Sequence, residues 1–438
     1  MGFCVVCAIA GASVVLGSAV ALGWGLPLAV IGGIALFIAL VWDLRVALPI
    51  LIVMLPLGPR FPMSFGNLYL SSAVLIIVYV AWLWRNALLR EPYVICLNRV
   101  VIAIAVFLGA LVVSSCQNMA YLVANPPSLL RFGQLILYSC LPALILSQHL
   151  SRRAIKTLVA LALIVGVIEA VVGLALWRFA TAFFVHGTFE GGHSDFAVYA
   201  VLVTTLFLGV LLEARSRPLA AAVIAAVVVL LVAIGFSFSR GGYAALASSF
   251  VCLLAMPAGR SRKIAMASAL LAGGAIFVLA GPLHFFNSLK DLVTTLTAKT
   301  FPISFVYRLG MWKEALIDFR QHPILGVGTW GYALRDSFYI KVLGEAGIVG
   351  LAAFIALLVT ILREEWRAIK VCPDRGLMKG VAIGLLPATV GCLVVFELSG
   401  DFFVVHRFAG SFWVVLALTL KYCLGIGVGD GQRASRAA

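Results

Sequence analysis

The chain has 438 residues, of which 63% are hydrophobic and only 11% are charged, and its mean hydropathy is +1.13. This composition excludes a water-soluble globular protein, because so few polar residues cannot cover so much apolar material. The net charge of +15 does not indicate a nucleic-acid partner, since the basic residues stand singly between apolar stretches and form no run. The expected surroundings are the lipid bilayer.

Apolar stretches long enough to cross a membrane recur along the chain, since a spanning helix needs about 20 apolar residues. The clearest of them are residues 3–21, 25–41, 100–115, 157–177, 219–236 and 264–280. The sequence therefore predicts an all-α polytopic membrane protein. It should have about 12 to 14 transmembrane helices and one large periplasmic loop that contains short helices.

Four segments make up the predicted organisation. They are residues 1–177 with N-terminal transmembrane helices, 178–281 with transmembrane helices that carry a Gly-Thr-Phe and a Ser-Arg-Gly-Gly motif, 282–337 as the periplasmic loop, and 338–438 with C-terminal transmembrane helices and a cytoplasmic tail. Most of the 32 Lys and Arg residues fall in alternate short loops. The positive-inside rule assigns these loops to the cytoplasm.

The stretch between residues 282 and 341 keeps seven Lys and Arg residues on the side that this rule disfavours. An anionic ligand is one explanation, and the other is that a long loop crosses the membrane regardless of its charge. Within the stretch a helix is predicted from Phe305 to Arg320, capped by Ser304 and ended by His322-Pro323. Its apolar stripe predicts a helix on the membrane surface, with Arg308 directed towards lipid headgroups.

The first motif region is the outward loop from Arg178 to Asp195. Its glycines, Gly187 among them, allow the backbone to approach a ligand closely. His186 and His193 stand beside these glycines, and imidazoles exchange protons near neutral pH. Both histidines are candidate site residues, although the pattern alone does not specify one chemistry.

The second motif region, Ser237-Phe-Ser-Arg-Gly-Gly242, stands where one apolar span ends and the next begins. An arginine at a membrane boundary is costly unless it snorkels or pairs, and its planar guanidinium suits the oxygens of a diphosphate. Arg240 is therefore either a structural arginine that reaches the interface or a ligand-binding one. The two glycines that follow allow close approach and favour binding.

The third motif region extends from Arg308 through Pro323-Ile-Leu-Gly-Val-Gly328 into the next apolar span. Gly326-Val-Gly328 is not a nucleotide-binding loop, because no strand precedes it and no Lys-Ser/Thr follows it. The segment is interpreted as a flexible link that brings Arg335 and Asp336 to the membrane surface.

These motifs follow one another in the order Gly-Thr-Phe, His-x-x-x-Ala-x-Tyr, Ser-Arg-Gly-Gly, Arg-x-x-x-Trp-x-x-Ala-Leu, Pro-x-x-Gly-Val-Gly and Tyr-Ile-x-x-Leu-x-Glu-x-Gly. This order, which covers residues 181–350, resembles the bacterial O-antigen ligase and polysaccharide polymerase family. The resemblance implies an all-helical membrane glycosyltransferase of the C type. It also implies a periplasm-facing site in the inner membrane, where glycan passes from undecaprenyl diphosphate to lipid A core or to another growing glycan.

The resemblance assigns roles by position. Arg240 and Arg308 match arginines that would bind the diphosphate, and Arg308 is also a candidate catalytic residue because it would stabilise the charge on this leaving group. Asp336 stands where ligases carry a histidine, so that Asp336 or His193 would remove or orient the acceptor proton. The other candidate substrate-binding residues are Arg335, Ser239, His186 and Arg178.

Several alternatives stay open. An aspartate at position 336 resembles polymerase-like members and favours a polymerase modestly over a ligase. No metal or other cofactor is expected, since the leaving diphosphate already carries stable charge and the sequence has no Asp-x-Asp motif. A transporter or flippase for lipid-linked glycans is the rival class, and it predicts paired repeats and ionisable residues near mid-membrane. A membrane scaffold would not need three Gly-rich, Arg-bearing motifs on one side.

Overall fold

The computed structural model of the protein describes residues 25–57, 60–63, 66–88, 96–179, 185–187, 192–256, 303–328, 337–395 and 406–426. The helices in these ranges, numbered in chain order, are α1 (Gly25–Trp42), α2 (Ala47–Leu57), α3 (Leu70–Leu88), α4 (Arg99–Cys116), α5 (Met119–Ala124), α6 (Pro126–Ser139), α7 (Leu141–Ser147), α8 (Arg152–Phe179), α9 (His193–Glu213), α10 (Arg217–Ser237), α11 (Arg240–Ala255), α12 (Ile303–Gln321), α13 (Phe338–Val371), α14 (Leu377–Thr389) and α15 (His406–Leu424). A π-helical turn, Val390–Val395, continues α14. Strands β1 (Arg60–Met63) and β2 (Gly66–Tyr69) form an antiparallel hairpin between α2 and α3.

Seven helical stretches in the described ranges are long and apolar enough to cross a membrane. They are Arg99–Cys116, Pro126–Ser147, Arg152–Arg178, His193–Glu213, Arg217–Ser237, Phe338–Val371 and Leu377–Val395. Five shorter apolar helices accompany them, namely Gly32–Trp42, Leu44–Leu57, Leu70–Arg85, Arg240–Ala255 and Phe408–Leu424. The predicted all-α polytopic membrane class is therefore confirmed. The spans predicted at 3–21 and 264–280 lie outside the described residues.

Local sequence signals explain where the spanning helices begin. The side chain of Asn98 caps α4 by accepting a 3.2 Å hydrogen bond from the amide of Val100. Pro218 lies in the first turn of α10, where an amide donor has no partner within the helix. Ser151 caps α8 by accepting a 3.2 Å bond from the amide of Ala154.

Helix α9 is the most enclosed span, with 89% of its apolar window buried. It packs tightly on α14 where Gly209 of α9 faces Gly380 and Gly384 of α14. A Cβ atom on Gly384 would lie 2.7 Å from the Cα of Leu206, so these small residues let the two backbones touch. Because α9 begins at His193, this packing also fixes the position of a candidate site residue.

Helix α13 is broken at Gly347, where φ is 65° and ψ is −162°. The segment Pro323–Gly328 occupies the break. The amide of Val327 donates to the carbonyl of Gly344 at 3.1 Å, and the amide of Ile348 donates back to the carbonyl of Pro323 at 2.9 Å. We call Pro323–Gly328 the brace. The flexible link predicted for this segment was wrong, because its backbone is paired with that of α13.

The brace also contacts α4. The hydroxyl oxygen of Ser114 lies 2.6 Å from the carbonyl oxygen of Leu325 and 2.7 Å from that of Glu345. Gly326 has a φ of 67°, and a Cβ atom there would lie 2.5 Å from the amide nitrogen of Ala346. Glycine is therefore required for the brace to seat in the break.

Helix α12 is the helix predicted in the long outward stretch. It begins at Ile303, so Ser304 lies inside it and the predicted cap was wrong; proline, which precedes Ile303 in the sequence, favours a helix start. The helix ends before His322-Pro323, as predicted. Leu309 and Leu316 are each 43% exposed, which leaves apolar surface for a membrane. The membrane-surface position itself stays a prediction.

Candidate functional site

One described part of the first motif region, Val185–Gly187, lies directly on helix α8. The amide of Val185 donates a 3.1 Å hydrogen bond to the carbonyl of Phe236 at the end of α10. Gly187 has a φ of 57°, and a Cβ atom there would overlap the carboxylate of Glu169 and lie 3.0 Å from Phe196. Gly187 therefore allows the loop to pack on α8 and α9, whereas the sequence pattern predicted close approach to a ligand.

The two candidate histidines lie in one place. His186 and His193 are close enough for their rings to interact electrostatically, and both are half-buried. The Nδ1 atom of His186 is buried and has no hydrogen-bond partner in the described part of the chain. His193 is the first residue of α9. The structure therefore brings a buried polar atom and a second imidazole together at one helix start.

The turn between α10 and α11 carries the Ser-Arg-Gly-Gly motif. Phe238 ends α10 in the left-handed conformation, with φ 52° and ψ 26°, which is strained for a bulky residue. The Oγ atom of Ser239 accepts a 3.1 Å hydrogen bond from the amide of Gly242 and so caps α11. Arg240 is therefore the first residue of α11, and its side chain is exposed.

A hydrogen bond joins the first two motif regions. The hydroxyl of Ser239 donates to the hydroxyl of Ser194 at 3.3 Å, and Ser194 directly follows His193. A Cβ atom on Gly242 would lie 2.7 Å from the Cβ of Ala197, so the glycine allows α11 to approach α9. The helix start that carries Arg240 and the one that carries His193 are therefore neighbours.

The start of α13 lies beside these two helix starts. The hydroxyl of Tyr339 donates to the carbonyl of Leu393 in the π-helical turn at 3.3 Å. In the same turn, the thiol of Cys392 donates to the carbonyl of Val198 in α9 at 3.7 Å, and Gly391 packs against the backbone of α11. The third motif region is thereby placed at the same face of the bundle as the first two.

Helices α9, α11 and α13 all begin at this face, which we call the motif face. The first amides of a helix have no carbonyl partner within the helix, and its N-terminus carries a partial positive charge. The three helices have 21, 16 and 34 residues, although α13 is broken near its start. With the exposed guanidinium of Arg240 added, the motif face favours an anion.

The other candidates are less well defined. Arg178 is exposed in the last turn of α8, and Arg308 is half-buried near the start of α12. The approach of Arg308 to Arg240 stays a prediction. Arg335 and Asp336 lie outside the described residues. Lys341 is one of the seven basic residues between positions 282 and 341 that suggested an anionic ligand. It is only 1% exposed inside α13, so the prediction was wrong for this residue.

Glu169 is also part of this region, and no motif in the sequence indicated it. Its side chain is fully buried in α8, beneath Gly187, and it interacts electrostatically with Tyr199 of α9. A lone acid in an apolar span is a signal of function, although above an ionisable residue near mid-membrane is used only as a sign of a transporter. The structure shows instead that Glu169 supports the loop that carries His186.

The fold and the motif face define a polytopic α-helical membrane protein with an anion-favouring site at one face. Residues 225–355 match the family model described as O-antigen ligase, and this range contains the Ser-Arg-Gly-Gly turn, α12 and the brace. This match supports the family predicted from the motifs, and it shows that residues 225–355 are similar to the O-antigen ligase domain. The family implies an enzyme of glycan assembly, of ligase or polymerase type, with a lipid-linked glycan and an acceptor as substrates. A comparison with curated proteins gave no match.

Proposed function

We propose that the protein is a glycosyltransferase of the bacterial inner membrane whose site faces the periplasm. It moves glycan from undecaprenyl diphosphate to an acceptor, which is either another growing glycan or lipid A core. The observation that supports the proposal is the hydrogen bond between Ser239 and Ser194, which makes neighbours of the helix starts that carry Arg240 and His193. The motif face suits a substrate that combines a diphosphate with hydroxyl groups.

The orientation follows from charge. At the opposite end of the bundle, α8 begins with Arg152 and Arg153. At the same end, Arg215 lies between α9 and α10, and α10 begins with Arg217. Short basic loops favour the cytoplasm. The motif face would then open to the periplasm, where lipid-linked glycans await transfer.

In the proposed reaction, an acceptor hydroxyl attacks the anomeric carbon of the donor sugar. The new C–O bond forms as the bond from that carbon to the diphosphate oxygen breaks, and the electron pair leaves with undecaprenyl diphosphate. Arg240 and Arg308 stabilise the growing charge on the diphosphate. The hydroxyl proton passes to Asp336 or to His193. His186 is the candidate residue for binding a sugar hydroxyl of the substrate.

The acceptor decides between the two activities in the family. A polymerase adds the glycan to another lipid-linked glycan, whereas a ligase adds it to lipid A core. The aspartate at position 336, in place of the histidine of ligases, favours the polymerase modestly.

The test supplies purified protein with an undecaprenyl-diphosphate repeat unit, with and without lipid A core, and separates the products on a gel. A ladder without core identifies a polymerase, and a product formed only with core identifies a ligase. Donor that crosses the membrane of a proteoliposome with no product formed would support the transporter class and contradict the proposal. The Arg240→Ala variant serves as the inactive control.

A further inference from the structure

A basic cavity lies at the end of α8 opposite the motif face. It encloses about 280 Å³, far more than the ~15 Å³ that a single water needs. Three elements form it: the first turns of α8, the link between α13 and α14, and the end of α15. Its lining residues are Arg152, Arg153, Lys156, Pro373, Asp374 and Tyr422.

The cavity holds more positive than negative charge. Lys156 pairs with Asp374, and the hydroxyl of Tyr422 donates to the same carboxylate at 2.7 Å. These two donors lower the pKa of Asp374 below its usual value, so the carboxylate stays ionised. Arg152 and Arg153 are exposed. Of the lining residues, three are cations and one is an anion, which leaves an excess of two positive charges.

An aromatic ring holds the cations in place. The Cζ atom of Arg152 lies 5.8 Å from the centre of the Tyr422 ring, and the Nζ atom of Lys156 lies 5.7 Å from it. Cations over an aromatic face are attracted by the ring quadrupole. These contacts bring residues from different helices together around one cavity. Basic residues that served only to set the orientation of the protein in the membrane would not need such contacts.

The cavity and the motif face are separated by about the thickness of a bilayer, about 30 Å. Arg153 and Gly173, which contacts the Val185–Gly187 loop, are 20 residues apart on α8, or about 30 Å at 1.5 Å per residue. This length matches the hydrocarbon core of a bilayer. The cavity and the motif face therefore belong to opposite membrane surfaces, and the cavity is separate from the proposed transfer site.

We propose that this cavity binds a phosphate-bearing anion, with Arg152 and Arg153 as its principal ligands. Guanidinium groups bind phosphate oxygens in pairs, and basic pockets between membrane helices suit anionic headgroups. The phosphate belongs either to an anionic lipid of the surrounding leaflet or to a soluble phosphate compound. Lys156 and Tyr422 complete the site, and Asp374 limits its affinity by neutralising Lys156.

Two measurements on the full-length protein distinguish these sources. Native mass spectrometry in detergent compares retention of phosphatidylglycerol with that of phosphatidylcholine. Thermal unfolding compares inorganic phosphate with chloride at equal ionic strength. Selective retention of phosphatidylglycerol assigns the site to a lipid, and stabilisation by inorganic phosphate without lipid retention assigns it to a soluble anion. No preference in either measurement would overturn the proposal.

A matched pair of variants tests the location. Arg152→Gln/Arg153→Gln should weaken binding by roughly tenfold for each lost arginine contact. Arg215→Gln/Arg217→Gln removes two exposed arginines at the start of α10 and just before it, at the same end of the bundle, and should leave binding unchanged. Equal losses in the two variants would show a general charge effect and contradict a defined site.

A third variant should strengthen binding. Asp374→Asn removes the competing negative charge but keeps an oxygen for the hydroxyl of Tyr422. We expect a several-fold gain in affinity for whichever anion binds the natural protein. A loss of affinity would contradict the placement of the anion beside Asp374. All these measurements report anion binding in the cavity, which lies at the other end of the bundle from the motif face. A negative result would therefore not contradict the proposed glycan transfer.

Discussion

The hydroxyl of Ser239 donates a hydrogen bond to the hydroxyl of Ser194 at 3.3 Å, across 45 residues of sequence. The same Ser239 oxygen accepts the amide hydrogen of Gly242 and caps α11. A single side chain thus sets where the helix that carries Arg240 begins and ties it to the helix that begins at His193. The proposed function requires that these two helix starts stay together.

Ser239→Ala should therefore reduce both stability and glycan transfer. Loss of the cap costs about 1 kcal/mol in free energy of unfolding, and the link to Ser194 is lost as well. Ser239→Asn keeps a capping oxygen and should retain most of the stability. Thermal unfolding in detergent and the gel assay measure the two effects. Ser248→Ala is the control, since the Ser248 hydroxyl bonds carbonyls of its own helix. Equal behaviour of the two alanine variants would contradict the role of Ser239.

Arg240→Ala and Arg308→Ala should each lower transfer by about a hundredfold or more, because each removes a charge-assisted contact to the leaving diphosphate. Both proteins should still insert in the membrane at normal levels. Arg320→Ala removes an exposed arginine from the same helix as Arg308 and should be nearly fully active. Normal product from either of the first two variants would refute the proposed clamp.

Gly187→Ala should impair transfer by displacing the loop that carries His186. The left-handed φ of 57° disfavours alanine, and the added Cβ would overlap the Glu169 carboxylate. The expected loss of stability exceeds about 1 kcal/mol. Gly133→Ala lies in α6 with open space around it and should be harmless. The initial rate of glycan transfer and the unfolding temperature are measured for both variants. A wild-type rate for Gly187→Ala would show that the position of the loop does not matter for transfer.

Gly326→Ala should destabilise the protein strongly, because the brace could no longer seat in the break of α13. Its Cβ would meet the backbone at Ala346, at 2.5 Å from the amide nitrogen. Gly376→Ala isolates the backbone effect, since Gly376 has a φ of 121° but open space around it. The unfolding temperature should fall further for Gly326→Ala than for Gly376→Ala. The reverse order would mean that the brace contributes little to stability.

Asp336→Asn should lower the rate of transfer by about a hundredfold or more while the donor still binds, because the amide cannot accept the hydroxyl proton. Turnover is followed on gels, and donor binding by the shift in unfolding temperature that the donor produces. His193→Gln provides the comparison at the other candidate base. Full activity of Asp336→Asn together with loss of activity in His193→Gln would move the base to His193.

Features of the fold that depend on interactions between neighbouring residues could be predicted from the sequence, whereas contacts between distant segments could not. The spans at 100–115 and 219–236 were predicted within a few residues, because burial of apolar side chains in lipid is a property of each stretch alone. The end of α12 at His322-Pro323 was also predicted, since proline acts on its own neighbours. The cap at Ser304 was wrong because several adjacent residues can start the same helix.

The amino-acid sequence by itself determined that this is an all-α membrane protein and which family its domain belongs to, because hydropathy and motif order depend on neighbours along the chain. Only the tertiary structure decided that the brace pairs with the backbone of α13, that Glu169 lies beneath Gly187, and that Ser239 reaches Ser194. These contacts join distant segments through backbone geometry and small-residue packing. The helices must first pack before such partners can meet, so no local pattern could reveal them.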